Sequence, residues 1–323
     1  MTGPIPLSAV RRRSRRARIQ EYAARQDSVV SRQQLRSLGI SDGEVAANLA
    51  AGRWRRLGQH SICMHTGPLP DRAQWWAAVF EGGPRAFLDG ESALVAAGLE
   101  HYEPRAVRVS VPRGARIRGV PECSFPVDIR QTRRWDPIDL HDGAGPPRAR
   151  TEVAAIRAAL WARTDKQAAY LLTLCVQQRL TTAQALGEEM LRIRRDRRRA
   201  FLHAVLLDLL GGVRSLGELE FARECRRRGL PEPTRQMVRR APNGTYFLDV
   251  YFEEWGVVVE VDGIHHTWAT QVIGDALRQN DITLQRDIVL RLPLLALRIA
   301  PDEFFAQIER ALVARGYPTR HIA

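Results

Sequence analysis

Residues 246–266 constrain the fold of this chain more than any other part of the sequence. Two short runs of aromatic and β-branched residues lie on either side of Glu253 to Gly256, which is the pattern of a β-hairpin. Any symmetric loop at this turn pairs Asp249 with Glu260, and directly opposed residues hold their Cβ atoms about 4.5–5.5 Å apart. Asp262 lies two residues beyond Glu260, on the same face of the strand. Like charges repel on such a patch, so the pattern predicts a site for a divalent cation such as Mg²⁺.

A simpler interpretation is that one face of this strand is exposed to solvent and its acids are hydrated. Two features favour the metal site. The run Val257-Val258-Val259 is typical of a strand covered on both faces, where an unpaired acid is costly. His265 and His266 then follow the strand and bring two imidazoles close to the acids.

The balance of charge indicates a polyanionic partner. The 323 residues carry a formal net charge of +13, and almost all of the positive charge is arginine, since Lys166 is the only lysine. Arginine suits bidentate contacts with phosphate, so nucleic acid, and DNA in particular, is the expected partner. A bias in base composition would produce the same preference for arginine without selection for binding. Hydrophobic residues make up 45% of the chain, which predicts a globular protein that forms a core.

Basic residues are concentrated in two segments. Residues 11–18 are interpreted either as a solvated tail or as an arm that follows DNA phosphates. Residues 192–199 belong to a helical pattern that runs from Thr182 to Leu210, and they form either a solvated helix face or one that faces DNA.

The cysteines and the hydropathy pattern indicate the compartment. The four cysteines are far apart and form no CxxC pair, so neither a zinc site nor a disulfide framework is indicated and a reducing cytoplasm is the simplest setting. No apolar run reaches membrane-spanning length, and the basic start lacks the apolar segment of a secretory signal. We expect a cytoplasmic, nucleoid-associated protein with no membrane partner.

Residues 1–66 have the pattern of a basic arm followed by a winged helix-turn-helix. A first helix is predicted from Ile19 to Arg25, and capping boxes at Ser31 and Ser41 open two more. Residues 52–57 and 61–65 follow as the two strands of a wing. The third helix, 42–50, carries two acids and no basic residue. The candidates for contact with DNA phosphates are therefore three arginines of the wing, Arg53, Arg55 and Arg56.

In residues 29–35, 38–41 and 51–57, this module resembles the N-terminal domain of AbiEi-like antitoxins and transcriptional regulators. The resemblance spans about residues 18–65 and implies DNA binding, with a toxin–antitoxin or defence-system protein as a further partner. The alternative is that the module only packs against its neighbours.

Residues 67–212 are predicted to be a mixed and then mainly helical connecting domain. Helical patterns occur within residues 71–99, and residues 106–111 alternate like a half-buried strand. Further helical patterns cover 151–161 and 166–179, before the one from 182 to 210. No catalytic constellation is found in this region.

Residues 213–323 are predicted to be the third domain. The elements expected besides the acidic hairpin are a helix over 215–228, a strand over 236–239, a helix carrying Asp275, Arg278 and Asp281, a strand over 289–299 and a helix over 301–315. The fold class of the whole chain is therefore α/β, or more strictly α+β.

The segment of about 213–315 resembles the very-short-patch repair endonuclease and its relatives in the PD-(D/E)XK nuclease superfamily. The matching positions are Ser215, Glu218, 229–233, Asp249, Glu260 to Gly263, His266 and Asp275-x-x-Arg278-Gln-Asn. The resemblance implies a restriction-endonuclease-like mixed sheet flanked by helices, and hydrolysis of DNA phosphodiesters with Mg²⁺ or, in its place, Mn²⁺. The superfamily's lysine after the second acid is absent, because Asp262 stands there. His265 or His266 is the candidate to replace it.

These patterns together predict a metal-dependent DNA endonuclease that nicks DNA. Asp249 and Glu260 are expected to hold the cation. Asp262 is expected either to be a further ligand or to accept a hydrogen bond from a group that is bound to the cation. Glu218 either adds a water-mediated ligand or closes a capping box with Ser215. His266 is expected to act as general acid or base.

Arg278 is the candidate to bind a phosphate in this domain. The alternative function is a DNA-binding transcriptional regulator or antitoxin whose nuclease-like domain is inactive. Both the missing lysine and the N-terminal resemblance favour that alternative.

Overall fold

A computed structural model describes residues 7–115, 123–211, 218–240, 246–262, 276, 280, 289–293, 297 and 299–318. For residues 7–14, 16, 211, 218–220, 235–240, 246–249 and 262 this description covers the backbone only. The chain forms two compact units, Met1–Ala154 and Ala155–Ala323, each with both helices and strands. The chain is thus a mixed α/β protein, and the finer boundaries at 66/67 and 212/213 stay predictions.

The first unit begins with three helices and a small sheet. Helices α1, α2 and α3 span Leu7–Arg25, Arg32–Ser37 and Asp42–Ala50, and strands β1, β2 and β3 span Val29–Ser31, Arg55–Arg56 and Ser61–Cys63. Strand β3 lies between β1 and β2 and is antiparallel to both. Both predicted capping boxes are confirmed, since the side chains of Ser31 and Ser41 each accept from the backbone N–H three residues later.

Helix α1 is longer than the sequence pattern predicts. We expect it to begin at Ile19, but it begins at Leu7, so the basic segment 11–18 is helical. The reason is that arginine is a good helix former and that no glycine or proline interrupts residues 7–25. Ile19 and Ala23 anchor the C-terminal half of this helix in a core with Val30, Leu35 and Ile62.

The rest of the first unit contains a second sheet. Helices α4 and α5 span Asp71–Gly82 and Gly90–Ala96, and strands β4, β5 and β6 span Phe87–Leu88, Val107–Pro112 and Val127–Thr132. Strand β5 is central, antiparallel to β4 and parallel to β6. The predicted helices and the predicted strand of this region are confirmed.

The second unit begins with helices. Helices α6, α7, α8 and α9 span Thr151–Trp161, Asp165–Gln177, Ala183–Leu191 and Arg199–Gly211. The prediction of one helix from Thr182 to Leu210 is wrong, because residues 192–198 interrupt it. The second basic cluster lies largely in this interruption and not on a helix face. Its Arg198 is buried and donates to Asp165 Oδ1 at 2.8 Å.

The C-terminal part of this unit is built on a four-stranded sheet. Strands β7, β8, β9 and β10 span Arg235–Arg240, Tyr246–Phe252, Val257–Asp262 and Val289–Pro293, and helices α10 and α11 span Glu218–Arg227 and Pro301–Ala314. The order is β10-β9-β8-β7; β9 is parallel to β10, whereas β8 is antiparallel to β7 and β9. The last strand ends at Pro293, not at Ile299 as predicted, and residues 297 and 299 are helical.

One face of this sheet forms the core of the second unit. The buried side chains on it alternate along three strands: Val250 and Phe252, Val257, Val259 and Val261, and Leu290 and Leu292. Phe221 and Cys225 of α10 and Phe304, Ile308 and Leu312 of α11 belong to the same cluster. This packing fixes which residues lie on the opposite face of the sheet.

Candidate metal and DNA site

The predicted register of the acidic hairpin is confirmed. Asp249 of β8 and Glu260 of β9 are direct Cα partners, and the chain reverses through a short 3₁₀ turn, Glu253–Trp255. Gly256 ends that turn in the left-handed conformation, with φ of 62°, which glycine adopts without strain. Opposed residues of an antiparallel pair project to the same face. The backbone therefore brings positions 249 and 260 together, as the sequence predicts.

The two faces of strand β9 differ sharply. Val257, Val259 and Val261 are fully buried, whereas Val258 is half-buried and the side chain of Glu260 is 34% exposed. The second face of this strand is therefore only partly covered, less than the valine run predicts. By the alternation of the strand, Asp249, Glu260 and Asp262 all belong to the polar face. Glu260 thus lies where water or a cation can reach it.

A basic residue completes this row. Arg291 of β10 is the Cα partner of Glu260, so Asp249, Glu260 and Arg291 occupy one line across three adjacent strands. The Nε of Arg291 donates to Oε2 of Glu260 at 3.2 Å. The Arg291 side chain is 66% exposed, so the pair is open to solvent and adds about 1 kcal/mol or less to folding.

The backbone of Arg291 is held by a buried amide. Asn280, only 1% exposed, accepts from the N–H of Arg291 at 2.8 Å and donates to its carbonyl oxygen at 2.9 Å. The same Nδ2 donates to Oε1 of the buried Gln307 on α11 at 3.0 Å. A neighbouring strand would satisfy the same two backbone groups, so Asn280 takes the place of such a strand beside β10.

The sequence did not predict Arg291. It lies 31 positions after Glu260 in the register-paired strand, and parallel pairing at that separation leaves no local pattern. The available signal was the run Val289-Leu-Arg-Leu-Pro293, in which one charged residue interrupts an apolar strand. That Glu260 and Arg291 are partners becomes visible only from the pairing of β9 with β10 in the structure.

The remaining predicted site residues are described in part or not at all. Glu218 is the first described residue of α10, and Asp262 ends β9, where Phe247 is its Cα partner. His266 and Arg278 lie outside the described residues, as does His265. Among side chains that are described, no group of three or more His, Cys, Asp or Glu could hold a metal. Asp249 and Asp262 are not among those side chains, so the predicted ligand set stays a prediction.

Each of the three predicted DNA-contacting arginines makes an intramolecular hydrogen bond. Arg53 Nε donates to Oδ1 of Asn48 at 2.7 Å, Arg55 donates to the carbonyl of Gly67 at 3.1 Å, and Arg56 Nε donates to the carbonyl of Gly58 at 3.0 Å. Arg53 and Arg56 are exposed, and Arg55 is half-buried. The bonds orient these side chains and leave the two exposed ones able to contact phosphates.

The acids of helix α3 are neutralised by nearby arginines. Glu44 pairs with Arg15 at 2.8 Å, and Asp42 pairs with Arg36 at 3.1 Å. The hydrogen bond from the backbone N–H of Ser41, and to a smaller extent Arg15, lowers the pKa of Glu44. These pairs reduce the repulsion that the two acids would exert on DNA. Helix α3 nevertheless has no basic residue that could contact a base.

A cleft of about 970 Å³ lies beside this helical module within the first unit. Arg32, Arg36 and Arg56 line it together with Asp42 and Glu81. Glu81 accepts hydrogen bonds from the backbone of Gln59 and His60, so its charge is already satisfied. The cleft therefore adds positive charge next to the β2–β3 hairpin without forming a second acidic site.

Comparisons with other proteins leave the family open. No family model matches the chain, and no curated protein matches it. Among solved structures, the chain is similar to the RV2827C protein of Mycobacterium tuberculosis, with 17% sequence identity and a TM-score of 0.38. That match covers 68% of this chain and 83% of the other. A similarity of this degree supports no inference about activity. No helix in the described part of the chain is long and apolar enough to span a membrane.

Proposed function

We propose that this protein is a metal-dependent DNA endonuclease that nicks DNA and carries an N-terminal DNA-binding module. The observation that carries the proposal is the row of Asp249, Glu260 and Arg291 across three adjacent strands. Acid positions on two adjacent strands, next to an exposed cation on a third, can hold both a metal ion and a phosphate. The formal net charge of +13 favours a polyanionic substrate.

The residues of this row fit Mg²⁺ or Mn²⁺. Carboxylate oxygens are the ligands that hard divalent cations prefer, and Glu260 is partly exposed on a polar face. A cation bound there would activate a water molecule and offset charge on the phosphate. Asp249 and Glu260 would hold that cation. Asp262, two residues beyond Glu260 on the same face of the strand, would supply another carboxylate. In the proposed scheme, Glu218 supports the site from α10, His266 handles a proton and Arg278 binds a phosphate.

The architecture of the second unit supports a restriction-endonuclease-like fold as part of this proposal. A mixed sheet of four strands packs one face against α10 and α11, and the acidic positions belong to its other face. In the first unit, three short helices followed by the β2–β3 hairpin support a winged helix-turn-helix. Its exposed Arg53 and Arg56 would contact DNA phosphates, which is consistent with a cytoplasmic, nucleoid-associated protein.

A plasmid-nicking assay tests the proposal. Purified protein is incubated with supercoiled plasmid and Mg²⁺ or Mn²⁺, with and without chelator. We expect cation-dependent conversion to open circles that Asp249→Asn and Glu260→Gln each abolish while DNA binding stays nearly intact. Glu254→Gln is the matched control, because Glu254 is an exposed acid in the turn of the same hairpin. Equal nicking by all four proteins would refute the assignment.

One observation favours the alternative function. Arg291 already provides a positive charge for Glu260, so this acid is compensated without a metal ion. A DNA-binding transcriptional regulator or antitoxin with an inactive nuclease-like domain would show this arrangement. It would bind one promoter tightly and never nick plasmid with either cation. An antitoxin-like protein would also form a stable complex with a toxin or another defence-system protein.

A further inference from the structure

Arg291 has features that a purely structural ion pair does not need. Its guanidinium group is two-thirds exposed, and its one described side-chain hydrogen bond uses Nε, so the terminal amino groups have no partner among the described residues. An exposed pair of this kind stabilises a fold by about 1 kcal/mol or less. Packing alone therefore gives little reason for an arginine at this position.

The backbone below Arg291 is unusually well fixed. Buried Asn280 bonds both its N–H and its carbonyl, and buried Gln307 in turn holds Asn280. Both amides are at most 3% exposed. A rigid base that presents an exposed cation next to the carboxylate of Glu260 is the arrangement expected of a functional side chain. The rigid base also keeps the guanidinium within reach of Glu260.

From this geometry we propose that Arg291 is the phosphate-binding cation of the acidic site, a role that rests on the nuclease function proposed above. In the absence of metal and DNA, Arg291 neutralises Glu260. With a divalent cation held by the carboxylates, Arg291 would be released from Glu260, and its terminal amino groups would bind a non-bridging oxygen of the DNA phosphate that is cleaved. The guanidinium suits this contact because its parallel N–H groups match two phosphate oxygens. It would take the place of the missing lysine.

Two opposite effects follow for Arg291→Gln. The substitution removes a cation that competes for Glu260, so Mn²⁺ should bind the DNA-free protein about two- to fivefold more tightly. It also removes a charge that stabilises the transition state, so kcat for nicking should fall about 10²-fold or more with little change in KM. Arg291→Lys keeps the positive charge but not the parallel N–H groups of the guanidinium, so it should recover part of kcat.

Arg226→Gln is the matched control. Arg226 of helix α10 forms a solvent-exposed pair with Glu232, at 2.8 Å, in the same unit. This variant should leave both Mn²⁺ affinity and kcat as in the parent. A role limited to stability would make the two arginine variants alike, with a small change in melting temperature and none in Mn²⁺ affinity.

The experiment measures Mn²⁺ affinity by titration of the full-length, metal-free protein and nicking kinetics on the same preparations. Tighter Mn²⁺ binding by Arg291→Gln together with a fall in kcat supports the proposal. An unchanged Mn²⁺ affinity overturns it, even if the parent nicks DNA and the proposed function stands. A parent that binds Mn²⁺ but never nicks overturns the nuclease function and the phosphate contact, while the change in affinity still measures the competition at Glu260. A parent that binds no Mn²⁺ overturns both.

Discussion

Replacement of Arg198 by methionine should destabilise the helical part of the second unit by about 2–4 kcal/mol. The Arg198 side chain is 7% exposed and donates to the carbonyl oxygens of Leu160 and Ala162, at the end of α6. Carbonyl groups at a helix C-terminus have no partner within the helix, and each one left buried and unpaired costs about 1–3 kcal/mol. The bond to Asp165 adds little, since that acid is 58% exposed. Methionine keeps most of the apolar packing of the arginine stem.

Urea unfolding of the full-length parent and variant measures this destabilisation, and hydrogen exchange locates it. The variant should lose protection in peptides from α6 and α7, whereas peptides from strands β8 and β9 should keep theirs. Arg197→Met is the control, because Arg197 is exposed in the same segment and its replacement should cost less than about 0.5 kcal/mol. If the two variants are equally stable, or if protection falls throughout the chain, Arg198 does not secure the end of α6.

Other predictions test separate parts of the structure. The pKa of Glu44 is lowered mainly by the hydrogen bond from the backbone N–H of Ser41. Glu44→Ala should therefore lower the free energy of unfolding by about 1 kcal/mol or less at pH 7. Urea unfolding should show this difference between parent and variant vanish as the pH falls below the ordinary glutamate range, where Glu44 becomes protonated. Burial raises the pKa of the Cys175 thiol to about 12, so a thiol reagent should modify it only after unfolding. Peptide mass spectrometry separates it from the partly exposed Cys123, and rapid labelling of Cys175 itself in the native protein would contradict its burial. Joint replacement of Arg53 and Arg56 by glutamine should weaken DNA binding at every sequence and lower the salt slope by about 0.9 for each phosphate that the protein no longer neutralises; an unchanged slope would exclude both from the interface.

The hairpin register could be predicted because local features determine it. A symmetric pairing about the turn that ends at Gly256 places Val250 with Val259 and Phe252 with Val257 on the buried face. The same pairing places Asp249 against Glu260. The capping boxes at Ser31 and Ser41 were predictable for the same reason, since each is complete within four residues. Local chemistry of this kind needs no tertiary information.

The interruption between α8 and α9 was not predicted because tertiary contacts cause it. Residues 192–198 contain no glycine or proline, and arginines favour helices, so the pattern looks continuous. In the structure Ile193 is buried and Arg198 turns inward to the end of α6. The one local signal is Asp196, whose side chain accepts from the N–H of Arg198 just before α9 begins. The partnership of Glu260 with Arg291 escaped prediction in the same way, because it depends on strands far apart in the sequence.

Binding of Mn²⁺ to the metal-free parent, Asp249→Asn, Glu260→Gln and Glu254→Gln tests most directly whether positions 249 and 260 share one cation. Titration followed by electron paramagnetic resonance reports free and bound Mn²⁺ without requiring turnover. We predict that the parent and Glu254→Gln bind alike, and that the affinity of each of the other two variants falls about tenfold or more. Equal binding by all four proteins, or none by the parent, would contradict the account.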